Sequence, residues 1–208
     1  MKTVAVSGQL RENLGKKGSK ATRLEGLAPA VLYGQGDPIH LAIAPLSVRD
    51  LIYTADFKVA ELSVDGKEYR AIVKDVQFHP VTDEIQHLDF LALQDGHPIK
   101  VAVPVAFEGN SPGIRAGGKL VQAVRKIKLK AAPEHLVDRI TLDISDLELG
   151  DSIRIRDITE LEGVEIINPG GQPVATVEVP RALKSAATAA KKAELAGGDA
   201  GDEEATEE

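Results

Sequence analysis

Between positions 75 and 90 the chain reads DVQFHPVTDEIQHLDF, a short stretch that carries Gln77, His79, His87 and Asp89. Imidazole and amide groups both donate and accept hydrogen bonds, whereas a carboxylate only accepts. Strand alternation over 85–93 puts Ile85, His87, Asp89 and Leu91 on one face and Gln86, Leu88 and Phe90 on the other. His87 and Asp89 are then neighbours about 6–7 Å apart between Cα atoms. Asp89 could orient the imidazole or accept from the amino group of guanine or cytosine, and His87 could donate to a phosphate or ribose. Gln77 and His79 are placed on the preceding strand, alternating with Val76 and Phe78. Two adjacent strands with four such side chains can read bases in a widened or distorted groove.

The same residues admit a metal reading, H-x₇-H-x-D, with His79, His87 and Asp89 as the ligands of a metal-dependent hydrolase. No second acidic cluster pairs with them. A serine hydrolase lacks its G-x-S-x-G turn, and Gly117-Gly118 is not followed by Lys-Ser/Thr, so a hairpin turn is expected there rather than a nucleotide loop. His40, His97 and His135 are read as surface histidines of no special role.

Upstream lies the charge that a polyanion would require. The first 24 residues hold six bases, Lys2, Arg11, Lys16, Lys17, Lys20 and Arg23, against one acid, Glu12. Gly15 and Gly18 flank two lysines and allow backbone to approach a phosphate. Ser19 is expected to cap a short helix through Leu24, with Gly26 at its end and Lys20 and Arg23 on one face. Lysine neutralises a phosphate, while arginine can also fork onto a base. The bland alternative is a solvated basic loop. Tyr33, at the end of a strand in YGQG, could stack on a base or sugar, or be half-buried packing.

These groups must be positioned by strands. VAV (4–6), AVLYG (30–34), IHLAIA (39–44), KVAELSV and KEYRAIVKDV about the Asp65-Gly66 turn, and IQHLDFLAL (85–93) predict five or six short strands. Ser47 is expected to cap a helix over 48–54. Together they imply a small closed or half-closed barrel. Asp95-Gly96-His97-Pro98 predicts a boundary, so residues 1–94 form one domain and 95–180 a second, all-β one with almost no helix signal. There Ile99, Val101, Val103, Val105 and Phe107 share one face, and Lys126, Lys128 and Lys130 point outward from another strand. Residues 181–208 read as an Ala-rich segment, a marginal helix, running into a disordered acidic tail.

The net charge of −7 is a property of that tail, because residues 194–208 carry seven acids and no base, leaving 25 of each elsewhere. With 43% hydrophobic but only 3% aromatic residues, the core must be aliphatic. The absence of Cys excludes disulfides, thiolate zinc and a thiol nucleophile. No apolar run reaches the roughly 18 residues of a membrane helix, so a cytoplasmic protein with no membrane partner is expected.

The R-x₄-K arm with downstream bases, the strand PAVLYG, DGK in the hairpin, and above all DVQFHP with QHLDF resemble large-subunit ribosomal protein number twenty-five, the bacterial 5S rRNA-binding protein. The second domain, residues 95–180, including LELGDS at 147–152, resembles the long, general stress protein CTC form of that family. The resemblance implies a six-stranded β-barrel with short helices that docks on 5S rRNA in the large subunit, and no cofactor, enzymatic activity or small-molecule substrate. It implies backbone contacts by Arg11, Lys16 and Lys20 or Arg23, a sugar or base contact by Tyr33, and groove readout by Gln77, His87 and Asp89. The second domain would touch neighbouring ribosomal components. A stress-response protein acting mainly through that domain is the alternative.

Overall fold

A computed structural model describes residues 2–34, 36–158 and 163–180. The expected tail and its helix lie outside these residues. The chain is mainly β, with a closed six-stranded barrel and further β-sheets after it. The described residues divide into two compact units: those within 2–106, 126–141 and 163–169 form the first, and those within 107–125, 142–158 and 170–180 the second.

The barrel strands are β1 (Thr3–Leu10), β2 (Ala28–Tyr33), β3 (Ile39–Ile43), β4 (Val59–Val64), β5 (Lys67–Phe78) and β6 (Ile85–Ala92), in the closed order β1-β3-β2-β6-β5-β4. β1 with β4 and β2 with β6 are parallel pairs; the other neighbours are antiparallel. Inward positions are aliphatic, as composition requires: Leu32, Leu41, Ile43, Leu62 and Leu88 pack around one ring, Phe90. Asp65 and Gly66 both take positive φ (47° and 79°), the tight turn expected between β4 and β5.

Helix α1 (Gly15–Leu24) begins four residues before Ser19, which is therefore no cap. Gly15 enters it at φ +84°, so the chain turns into the helix immediately after Leu14. Gly18 is tolerated inside because the Asn13 carbonyl lies where its Cβ would stand. The close approach expected of a phosphate is thus made by the chain's own backbone. The helix expected over 48–54 is a 3₁₀ turn, Pro45–Val48, continued by α2 (Arg49–Ile52). Pro45 starts it early by fixing φ, and the Ser47 hydroxyl donates to the Ala44 carbonyl instead of capping.

A four-stranded sheet, β10-β7-β9-β12, is formed by β7 (Ile99–Glu108), β9 (Lys126–Ala131), β10 (Ile140–Asp143) and β12 (Val164–Ile166). Val101, Val103, Ile127 and Leu129 are its buried face, and Lys126 and Lys128 point outward as expected. In the second unit β8 (Lys119–Gln122), β11 (Ser152–Arg154) and β13 (Pro173–Glu178) form a sheet ordered β11-β13-β8 over Ile144, Leu147 and Val177. Among the described residues that unit holds two helical turns that the residue pattern did not announce, a 3₁₀ turn at Ile155–Asp157 and α3 (Pro112–Arg115), the latter capped by Ser111 with Pro at its first position. Gly117-Gly118 closes α3, with N–H groups donating to the Ile114 and Gly113 carbonyls. It is a helix end and not a hairpin turn, since β8 pairs with β13 and not with β7.

Candidate nucleic-acid interface

The outward surface of the barrel is built from register. The Arg11 amide donates to the His40 carbonyl at 2.9 Å, His40 opposes Val31, Val31 opposes Asp89, and Asp89 opposes Asp75. One row therefore crosses β1, β3, β2, β6 and β5. From β1 to β6 it spans three strand spacings, roughly 14 Å. Next to it on β5 and β6, Gln77 opposes His87. The register thus places Arg11, Gln77, His87 and Asp89 on neighbouring strands of the barrel.

His87 Nδ1 lies 2.7 Å from Asp89 Oδ1. The contact is close in distance but lacks hydrogen-bond alignment, for this buried nitrogen has no hydrogen-bond partner. Across β5, a register shift between Val73 and Asp75 brings a second carboxylate level with Asp89. Two carboxylates side by side repel unless donors come between them. Tyr33 feels both: burial first, then Asp89 and Asp75, push its phenol above the ordinary value. The loop after Tyr33 is held by the Gln94 amide, which donates to the Gly34 carbonyl.

Helix α1 supplies the opposite sign. Lys16, Lys20 and Arg23 recur at i, i+4 and i+7, one exposed stripe. Arg23 spans from the helix to β6, donating through Nε and Nη2 to the Gln86 carbonyl at 3.1 and 3.0 Å. Three of its five N–H groups remain for another acceptor. Arg11 Nη2 donates to Ser19 Oγ and to the Asn13 carbonyl, both at 3.3 Å, so the arm is folded against the helix. No acid occupies the first turn of α1, which instead carries Lys16 and Lys17. Cations at a helix N-terminus oppose the macrodipole, and the arrangement suits an external anion.

His79 differs from its placement on a strand, because β5 ends at Phe78. Its Nδ1 accepts from the Val81 and Thr82 amides at 3.3 and 3.2 Å, and its amide donates to the Glu84 carbonyl at 2.8 Å. The ring builds the β5–β6 turn, and only Nε2 is left to contact a ligand. Among the described residues no three His, Asp or Glu side chains are grouped to hold a metal. Asp75 and His40 are the members that the residue pattern did not single out. Their signal is in the pairing: a bulge for Asp75, and a row shared with Asp89 for His40.

The Ribosomal L25p family matches residues 6–90, and the C-terminal domain of ribosomal protein TL5 matches residues 98–181. The large ribosomal subunit protein bL25 of Cytophaga hutchinsonii is 45% identical over 192 residues, covering 92% of this chain and 100% of that protein. Its namesake in Porphyromonas gingivalis is 41% identical, over 90% of this chain and 98% of that one. The protein of that name in Phocaeicola vulgatus is 39% identical, over 92% and 100%. These matches define a class, the proteins of the large ribosomal subunit. Within it, the chain belongs to the bL25 family, in a form that carries a TL5-type C-terminal domain. Among the described residues no helix is long and apolar enough to cross a membrane.

Proposed function

We propose that this chain is a non-catalytic component of the large subunit whose barrel binds 5S rRNA. One observation carries the reading: the basic stripe of α1 is tied through Arg23 to β6, beside the wall that holds Gln77, His87, Asp89 and Asp75. Arg11, Lys16 and Lys20 take phosphates, which sets orientation but carries no sequence information. The carboxylates of Asp89 and Asp75 accept from base amino groups, and Gln77 and His87 offer donors and acceptors beside them. Tyr33, with its phenol kept protonated, donates to a sugar or base or stacks on it. His79 shapes the turn and leaves Nε2 open to the RNA.

Residues 1–94 act as the RNA-binding part, and residues 95–180 touch neighbouring components of the subunit. The test is a gel shift with 5S rRNA against an unrelated RNA of equal length, repeated across salt. Neutralising about five phosphates gives a log–log salt slope on the order of −3 to −5. Equal affinity for both RNAs, or a slope near zero, would refute the reading. A fragment of residues 1–94 that binds 5S rRNA as tightly as the full chain places the function in the barrel.

A further inference from the structure

A second surface of the first unit has the chemistry of an RNA site and borders the barrel wall at Asp75. A cleft of about 800 Å³ opens there, and all of its lining residues belong to that unit. This lies within the roughly 300–1,000 Å³ of ordinary ligand sites. Two aromatic rings stand at its rim: Tyr53 is 61% exposed and Phe78 41%, with centroids 6.3 Å apart and planes tilted by 55°. The chain has only seven Tyr and Phe residues, so two exposed rings together are not explained by abundance. Neither belongs to the barrel core.

The cleft is also cationic. Lys126 and Lys128 alternate with buried Ile127 and Leu129 on β9, so both project to the outward face. Their cross-strand partners on β7 are Pro104 and Ala102, small and uncharged. Lys100 joins them from β7, and Lys74 from β5, its Nζ donating to the Lys100 carbonyl at 3.0 Å. On the same sheet Lys130 is answered by Glu165 at 3.1 Å, whereas no acid answers Lys100, Lys126 or Lys128 among the described residues. Of the two acids lining the cleft, Asp56 is already paired with Lys2 at 3.2 Å, and the other, Asp75, is the wall carboxylate opposite Asp89, against five lysines in the lining. Unanswered like charges on one sheet face are a cost to the fold. They gain a purpose if a polyanion completes them.

We propose that this cleft binds an unpaired stretch of RNA, a base stacking on Tyr53 and Phe78 while its flanking phosphates lie on Lys74, Lys100, Lys126 and Lys128. An acidic protein segment would use the lysines but leaves two tilted, exposed rings unexplained. Stacking platforms beside basic grooves are the recurrent solution for single strands, because every base has a π-face. The inference is independent of the 5S reading, since it concerns other residues and a different form of RNA.

The test titrates the full chain with an unstructured RNA of about eight nucleotides, monitored by NMR. Shifts are expected at Tyr53, Phe78 and the lysines of β9. Tyr53→Ala should weaken binding roughly tenfold, the effect of losing one stacked base. Lys126→Gln with Lys128→Gln should flatten the log–log salt slope by about 1.4, two single-strand phosphates. Both variants alter exposed side chains, and they should melt no lower than the parent. Shifts confined to Arg11, Lys16 and Asp89, or unchanged affinity in both variants, would overturn the proposal. So would a glutamate-rich peptide that competes the oligonucleotide away at equal concentration. Binding of 5S rRNA by the same variants is read separately, so each proposal can fail alone.

Discussion

The barrel wall and the lysine face of the sheet β10-β7-β9-β12 hold polar groups in opposite ways. On the wall the two arginines are fixed by the protein, Arg11 on Ser19 and Arg23 on the Gln86 carbonyl. On the sheet Lys126 and Lys128 have small or apolar cross-strand neighbours and only their strand to direct them. Groups already held lose less freedom on binding and can discriminate between partners. Unfixed lysines lend affinity without register. A single chain can therefore carry one surface that selects an RNA and another that merely retains it.

The sharpest contrast lies between adjacent residues of β6. Phe90 faces the core and Asp89 the outside. Phe90→Ala is expected to cost about 3–5 kcal/mol of stability, measured by denaturant unfolding. Asp89→Ala should leave unfolding unchanged and weaken specific 5S binding by roughly 1–3 kcal/mol in a gel shift. A barrel-wall mutant that binds as well as the parent would remove the distinction between the two surfaces.

Gly18→Ala sharpens it from the helix side. A Cβ there would stand 2.1 Å from the Asn13 carbonyl oxygen, so the arm carrying Arg11 must move. We expect about tenfold weaker 5S binding and a salt slope smaller by about 0.9, one duplex phosphate. Binding to a short single strand should be unaffected. The smallest effect concerns Tyr33. Its folded phenol titrates above the unfolded value, so folding favours the protonated form. That contribution is complete below the unfolded value of about 10 and is lost as pH rises through the folded one. Tyr33→Phe should flatten the decline of stability with pH in that alkaline window, as measured by melting.

Much of this was legible in the residues. Alternation in IQHLDFLAL separated Phe90 from His87 and Asp89, and Asp65-Gly66 announced its hairpin. What escaped depended on pairing or on local competition. Asp75 joins the wall only because a bulge resets register, and His40 only because β3 lies between β1 and β2. The helix starts before the Ser19 cap that the residue pattern predicts, because Gly15 turns the chain at positive φ and Asn13 fills the space beside Gly18. Alternation places His79 on the strand, because nothing in its neighbours shows that its ring accepts two turn amides.

The parallel pairing of β1 with β4 seals the barrel, and its consequence reaches beyond binding. A cylinder with every backbone rung occupied offers no template onto which later sequence can zip. Anything appended after β6 must nucleate its own ladder. Such a unit can be gained, exchanged or shed in evolution without breaking a rung of the cylinder's own backbone ladder, at the cost of the bond from Lys74 on β5 to the Lys100 carbonyl.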